Sequence, residues 1–113
     1  MPGMDEQTRR AAWGIYQALH HLAAGAIVGE HETELNPDGN LFEGDLDYAS
    51  RILIEDGPAL AAVQPDLVDR IRGSLASWQN AEPDRLRRLL GLLRELETLT
   101  GSSLPLPLPR DPH

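Results

Sequence analysis

The chain has 113 residues, 41% of them hydrophobic and 25% charged, and a formal net charge of −8 at pH 7. This balance predicts one folded domain of modest size rather than a disordered chain. Cysteine and lysine are both absent, which excludes disulfides, thiolate nucleophiles and lysine Schiff-base chemistry and fits a cytoplasmic protein. No apolar run approaches the roughly 20 residues needed to cross a bilayer, so a membrane partner is not expected.

The acidity is concentrated in one segment. Residues 30–56 contain nine Asp or Glu residues against Arg51 alone, whereas the rest of the chain contains nine acids and nine arginines. Nucleic acid is not an expected partner, because binding to phosphates requires clustered basic residues. Cations or a basic protein suit this segment better.

The first predicted element is a long helix over residues 5–33, with two stripes of different character. One stripe is an ordinary core face with helical spacing, made of Ala12, Ile15, Leu19, Leu22, Ala23 and Ala26. The neighbouring small-residue stripe consists of Ala11, Gly14, Ala18, Gly25 and Gly29. Glycine inside a helix costs about 1 kcal/mol relative to alanine, so this stripe predicts a close approach of another backbone. That backbone could belong to the same chain or to a second copy.

Three further helices are predicted downstream. A second helix begins near Asp45 and is expected to stop at Asp56-Gly57-Pro58, with a short helical piece over 58–63. A third begins at Pro65, a first-turn proline, and runs to about Asn80, with an apolar set at helical spacing made of Leu67, Ile71, Leu75 and Trp78. A fourth runs from Pro83 to Thr100, and leucines cover about half of its circumference: Leu86, Leu89, Leu90, Leu92, Leu93, Leu96 and Leu99. Either this helix is central in the bundle or another subunit covers part of it.

The predicted fold is therefore all-α, a bundle of about four helices. Residues 1–101 form the single helical domain, and residues 102–113, SSLPLPLPRDPH, form a Pro/Leu-rich tail that favours extended geometry over helix.

The segment from residue 34 to residue 45, ELNPDGNLFEGD, resembles an EF-hand calcium loop, and most closely the loop-helix half of dockerin modules. Gly39 matches the turn glycine and Leu41 the apolar anchor. The resemblance implies a Ca²⁺ site with ligands from Glu34, Asn36, Asp38, Asn40 (backbone carbonyl) and Asp45. The sequence departs from the pattern, because position 1 is normally Asp, position 12 is normally Glu, and one copy is present rather than two. The alternative is an ordinary turn between helices.

Two other sets of polar residues on helix one are candidate binding residues. His31 and Glu34 are spaced to share a transition metal, which raises a metal-dependent helical enzyme as an alternative, although helices three and four supply no histidine. A third face of the helix carries Trp13, Gln17, His20, Ala24 and His31. This face is either a recognition surface or is covered by a loop or the tail.

No catalytic constellation is found, and the function expected from the sequence is non-enzymatic interaction or regulation. A homodimer is expected, with its interface at Gly14, Ala18, His21, Gly25, Gly29, Leu92 and Leu99. A basic protein is a second possible partner, and a calcium-binding module is the main alternative function.

Overall fold

A computed structural model describes residues 5–31, 43–80 and 82–105, apart from the side chains of residues 28–31 and 43. It contains four helices: α1 (Glu6–His31), α2 (Glu43–Ala61), α3 (Pro65–Gln79) and α4 (Arg85–Thr100). No strand occurs among these residues. The all-α prediction is confirmed.

The four helices form a closed ring in which α1 packs on α2 and α4, and α3 packs on α2 and α4. Helix α1 runs antiparallel to α2, because Gly14 faces Asp56 while Gly25 faces Asp45. It also runs antiparallel to α4, whose end at Thr100 lies beside the first turns of α1. The core lies between the helices, and its largest fully buried side chains are Tyr16, Ile15, Leu19, Leu22, Leu60, Leu67, Ile71, Leu89, Leu93 and Leu96.

Local signals explain where the helices begin and end. The carboxylate of Asp5 accepts a hydrogen bond from the backbone N–H of Thr8 at 2.7 Å, which caps α1 and lowers the pKa of Asp5. Pro65 occupies the first turn of α3, where its missing N–H costs nothing. Gly101 ends α4 in the left-handed conformation at φ 72°, and its N–H donates to Glu97 O at 2.8 Å.

The predicted break at Asp56-Gly57-Pro58 is wrong, because α2 continues through it as one helix to Ala61. Proline removes the N–H that would bond to the carbonyl of Ile54 and is disfavoured in a helix interior. Here both residues lie on the solvent side, since Ile54 is 76% exposed and Pro58 is exposed. Water can therefore satisfy the freed carbonyl, while the opposite side of the helix packs without interruption.

The leucine-rich face of α4 is covered within the chain. Leu89, Leu92, Leu93 and Leu96 are buried, and the other three leucines of the helix are partly buried against the same core. Within the described part of the chain, no helix is both long and apolar enough to cross a membrane.

Candidate functional site

The small-residue stripe of α1 packs against α2 of the same chain. A Cβ atom built on Gly14 would lie 2.8 Å from Asp56 Oδ2, and one built on Gly25 would lie 2.9 Å from Asp45 Oδ2. Ala18, between them, is 1% exposed. The two glycines are eleven residues apart, and so are the two aspartates. The stripe therefore makes room for two carboxylates rather than for a second backbone.

His21, at the edge of the same seam, is paired with α2. Its Nε2 atom lies 3.1 Å from Asp45 Oδ1, and the His21 side chain is 71% exposed. Such a contact contributes little to stability, because solvent screens an exposed ion pair. His21 nevertheless belongs to the α1–α2 seam and is not the centre of a free surface.

The predicted interface residues are thus mostly enclosed by this chain. Gly14, Ala18 and Gly25 face α2, and Leu92 is buried at 6% exposure. Leu99 is partly buried against the core. Gly29 lies in α1, where only the backbone is described. Most of the described positions therefore face neighbouring helices of the same chain, and the homodimer and its interface stay predictions.

Most of the predicted calcium loop lies outside the described residues, including Glu34, Asn36, Asp38 and Asn40. Asp45 is described, and its carboxylate contacts His21 and faces Gly25. The metal pair of His31 and Glu34 falls outside the described side chains. Among the described residues, no group of three or more His, Asp or Glu side chains is placed to hold a metal ion. The calcium loop remains a prediction.

The beginning of the tail contacts α1 at Tyr16 and at His20 of the third face, whereas Gln17 of that face is exposed. The Tyr16 hydroxyl donates to Glu97 Oε2 at 2.7 Å and accepts from the N–H of Leu104 at 2.9 Å. The His20 Nε2 atom lies 2.9 Å from the carbonyl oxygen of Pro105, which can only accept, so His20 carries its proton there. The tail thus runs along α1 beside an aromatic row in which the ring centroids of Trp13 and Tyr16 are 5.1 Å apart.

Tyr16 was missed by the sequence reasoning, although it is fully buried. Burial raises the pKa of its hydroxyl, and the neighbouring carboxylate of Glu97 raises it further. One signal was available, since a tyrosine beside a core stripe usually needs a partner for its hydroxyl. The sequence could not name that partner, because Glu97 is 81 residues away.

Among the described residues, the outer face of α2 exposes large apolar side chains. We define it by the exposed residues of this helix that share one arc of about 120° at about 100° per residue: Gly44, Asp47, Tyr48, Arg51, Ile54, Glu55 and Pro58. Four large apolar side chains in the described chain are strongly exposed, and three of them lie on or directly after α2: Tyr48 at 43%, Ile54 at 76% and Val63 at 49%.

Charge surrounds these apolar groups. Asp47 and Glu55 are exposed on the same face, whereas Asp45 and Asp56 lie half-buried on the side of α2 that faces α1. Arg51 is the basic residue of this helix, and its guanidinium carbon lies 5.6 Å from the ring centroid of Tyr48. The Arg51 guanidinium thus makes a cation–π contact with Tyr48 on the same helix. The face therefore combines exposed apolar area with a negative excess.

Comparison of the chain with protein-family models, curated proteins and solved structures found no match. Its function is therefore argued from its own residues.

Proposed function

We propose that this chain is a non-enzymatic interaction or regulatory protein that binds a basic protein partner through the outer face of α2. The observation that carries the proposal is the exposure of Ile54 and Tyr48 beside acidic residues, where the other large apolar side chains of the described residues are mostly buried. Exposed apolar residues grouped on one face are typical of protein interfaces, whereas isolated ones are ordinary.

The charge of the face supports the basic character of the partner. The acidic segment of the sequence, residues 30–56, includes most of this helix and holds the whole negative excess of the molecule. Complementary charge accelerates association and selects among partners, while the apolar centre supplies affinity. A partner with an apolar groove bordered by Lys or Arg fits both features. The proposal includes a cytoplasmic location, supported by the absence of cysteine.

A surface-exchange experiment tests the proposal. The tagged chain is used to capture partners from its source cells, alongside Ile54→Arg and a matched control, Ala76→Arg, at an exposed position on α3. We expect a discrete partner that is captured by the wild type and the control, lost with Ile54→Arg, and released as salt rises. Equal capture by all three chains, or capture that salt does not weaken, would contradict the proposal.

Self-association is tested separately. Light scattering over a range of concentrations reports the mass of the particle, and a second copy is part of the proposal only if that mass doubles. The Ile54→Arg variant then distinguishes a dimer through α2, which it would dissociate, from one through another surface.

A further inference from the structure

The side of α1 that meets the tail carries three ring side chains in a row, away from the outer face of α2. We define this aromatic row as Trp13, Tyr16 and His20, which lie three and four positions apart and therefore share one side of the helix. The ring centroids of Trp13 and Tyr16 are 5.1 Å apart, and those of Tyr16 and His20 are 5.8 Å apart. The row is thus continuous over two turns of α1.

The tail is held on this row through its backbone atoms. The Tyr16 hydroxyl donates to Glu97 Oε2 at 2.7 Å, and its oxygen accepts from the N–H of Leu104 at 2.9 Å. One residue further along, the carbonyl oxygen of Pro105 lies 2.9 Å from His20 Nε2. The side chains of Leu104 and Pro105 are exposed. Another segment with an N–H group followed by a carbonyl at the same spacing would make the same two hydrogen bonds.

The sequence at these contacts indicates which segments fit. Leu104 precedes a proline, and a residue in that position is restricted to the β or polyproline II region. A polyproline II segment has no internal hydrogen bonds, so its N–H and carbonyl groups are available to side chains. Aromatic grooves recognise such segments because the bound conformation is already formed. The row therefore suits a non-proline residue followed by proline.

The described part of the tail fills this surface incompletely. Beside Trp13 it leaves an open recess of about 310 Å³. The tail passes this recess at Ser102 and Ser103, both exposed, whose small polar side chains bring little apolar area to the indole ring. Prolines at these two positions would bring more. The recess is lined by Glu6, Arg9, Arg10, Trp13, Thr100 and Ser102. The chain's own tail is therefore a weak occupant that a better-fitting segment can displace.

We propose that the aromatic row is a binding site for a proline-rich segment of another protein, which displaces the tail. The Tyr16 hydroxyl accepts from the N–H of a non-proline residue, His20 donates to the carbonyl of the proline that follows, and preceding prolines pack against Trp13. The tail is a built-in competitor, so the apparent affinity for the partner is reduced to the extent that the tail occupies the row. This site is independent of the one proposed on α2.

The test is an NMR titration of the ¹⁵N-labelled full chain with the end-capped hexapeptide PPLPLP. This peptide has prolines in place of Ser102 and Ser103, followed by the sequence of residues 104–107. We expect saturable shifts of the Trp13 indole signal, because the recess fills, and of the Leu104 amide signal, because the tail leaves. The same peptide with alanine in place of every proline should bind about tenfold more weakly, because it is not held in the extended conformation.

Three outcomes of this titration would overturn the proposal. One is the absence of saturable shifts with PPLPLP, which would leave the row to the chain's own tail. Another is equal binding of the proline and alanine peptides. The third is a shift of the Leu104 amide signal that depends on the concentration of the chain alone, which would assign the row to the tail of a second copy.

Variants of the full chain test the competition and locate the site. Leu104→Pro removes the N–H that donates to Tyr16, so it should loosen the tail and tighten the binding of PPLPLP about twofold, the equivalent of one weak hydrogen bond. In the Leu104→Pro chain, His20→Ala should weaken peptide binding about threefold. The matched control is His21→Ala, whose side chain contacts Asp45 instead and whose loss should leave peptide binding unchanged. Unchanged or weaker binding in Leu104→Pro, or equal effects of the two histidine substitutions, would contradict the proposal.

Discussion

Replacing Tyr16 by phenylalanine should measure how strongly the tail is fastened to the bundle. The substitution keeps the buried ring and removes only the hydroxyl, which donates to Glu97 and accepts from the Leu104 N–H. A hydrogen bond to a charged group contributes about 1.5–3 kcal/mol. The lower value applies here because Glu97 is half-buried and can turn to water. The exposed Leu104 N–H adds about 0.5 kcal/mol, so Tyr16→Phe should lower the free energy of unfolding by about 2 kcal/mol.

Urea denaturation followed by circular dichroism measures this change as a lower midpoint with an unchanged slope. Amide hydrogen exchange gives a second readout. The amide of Leu104 should lose its protection, whereas the protection of the core amides of α3 should fall only by the amount that the lower free energy of unfolding predicts. Tyr48→Phe is the matched control, since Tyr48 is exposed on the outer face of α2 and should change stability by less than about 0.5 kcal/mol. If Tyr16→Phe were as stable as the wild type, or if Leu104 kept its protection, the hydroxyl would not fasten the tail.

Three further predictions follow from other contacts. Gly14→Ala should lower the free energy of unfolding by about 1 kcal/mol in urea denaturation, because the added Cβ would lie 2.8 Å from Asp56 Oδ2. The second substitution Asp56→Ala should restore that stability. If Gly14→Ala alone left the stability unchanged, α2 would be able to move away from α1 at no cost. Stability should fall as pH rises above 10.0, the ordinary pKa of tyrosine, because the raised pKa of Tyr16 makes the unfolded chain lose its proton first. The same pH titration of Tyr16→Phe should show a smaller fall, and identical curves would contradict it. The EF-hand resemblance predicts a thermal midpoint that rises with calcium and a smaller rise in Asp45→Asn; no shift at millimolar calcium would remove that hypothesis.

Helical periodicity was sufficient to predict most of the core. The inward stripe of α1 and the apolar set of α3, from Leu67 to Trp78, are buried as their spacing predicts. The break at Pro58 was wrongly predicted because the rule for proline concerns the backbone alone. Whether the freed carbonyl reaches water depends on which side of α2 faces the solvent, and that is fixed only when the helices pack.

The candidate sites were less predictable, because they depend on contacts between distant segments. The glycines of α1 indicated a close neighbour, but their spacing is equally compatible with the same chain and with a second copy. The pairing of Gly14 with Asp56 required the antiparallel arrangement of α1 and α2.

The matched pairs on α1 and α2 also determine how far the two helices can slide along each other. If α2 moved by one helical turn in one direction, Asp56 would meet the methyl group of Ala18, and in the other direction it would meet that of Ala11, the neighbouring members of the same stripe. Asp45 would leave its own recess in the same movement. Because the two glycines and the two aspartates have the same spacing along their helices, α1 and α2 pack together in a single alignment. The helix stability given up at Gly14 and Gly25 is exchanged for a unique arrangement of the bundle.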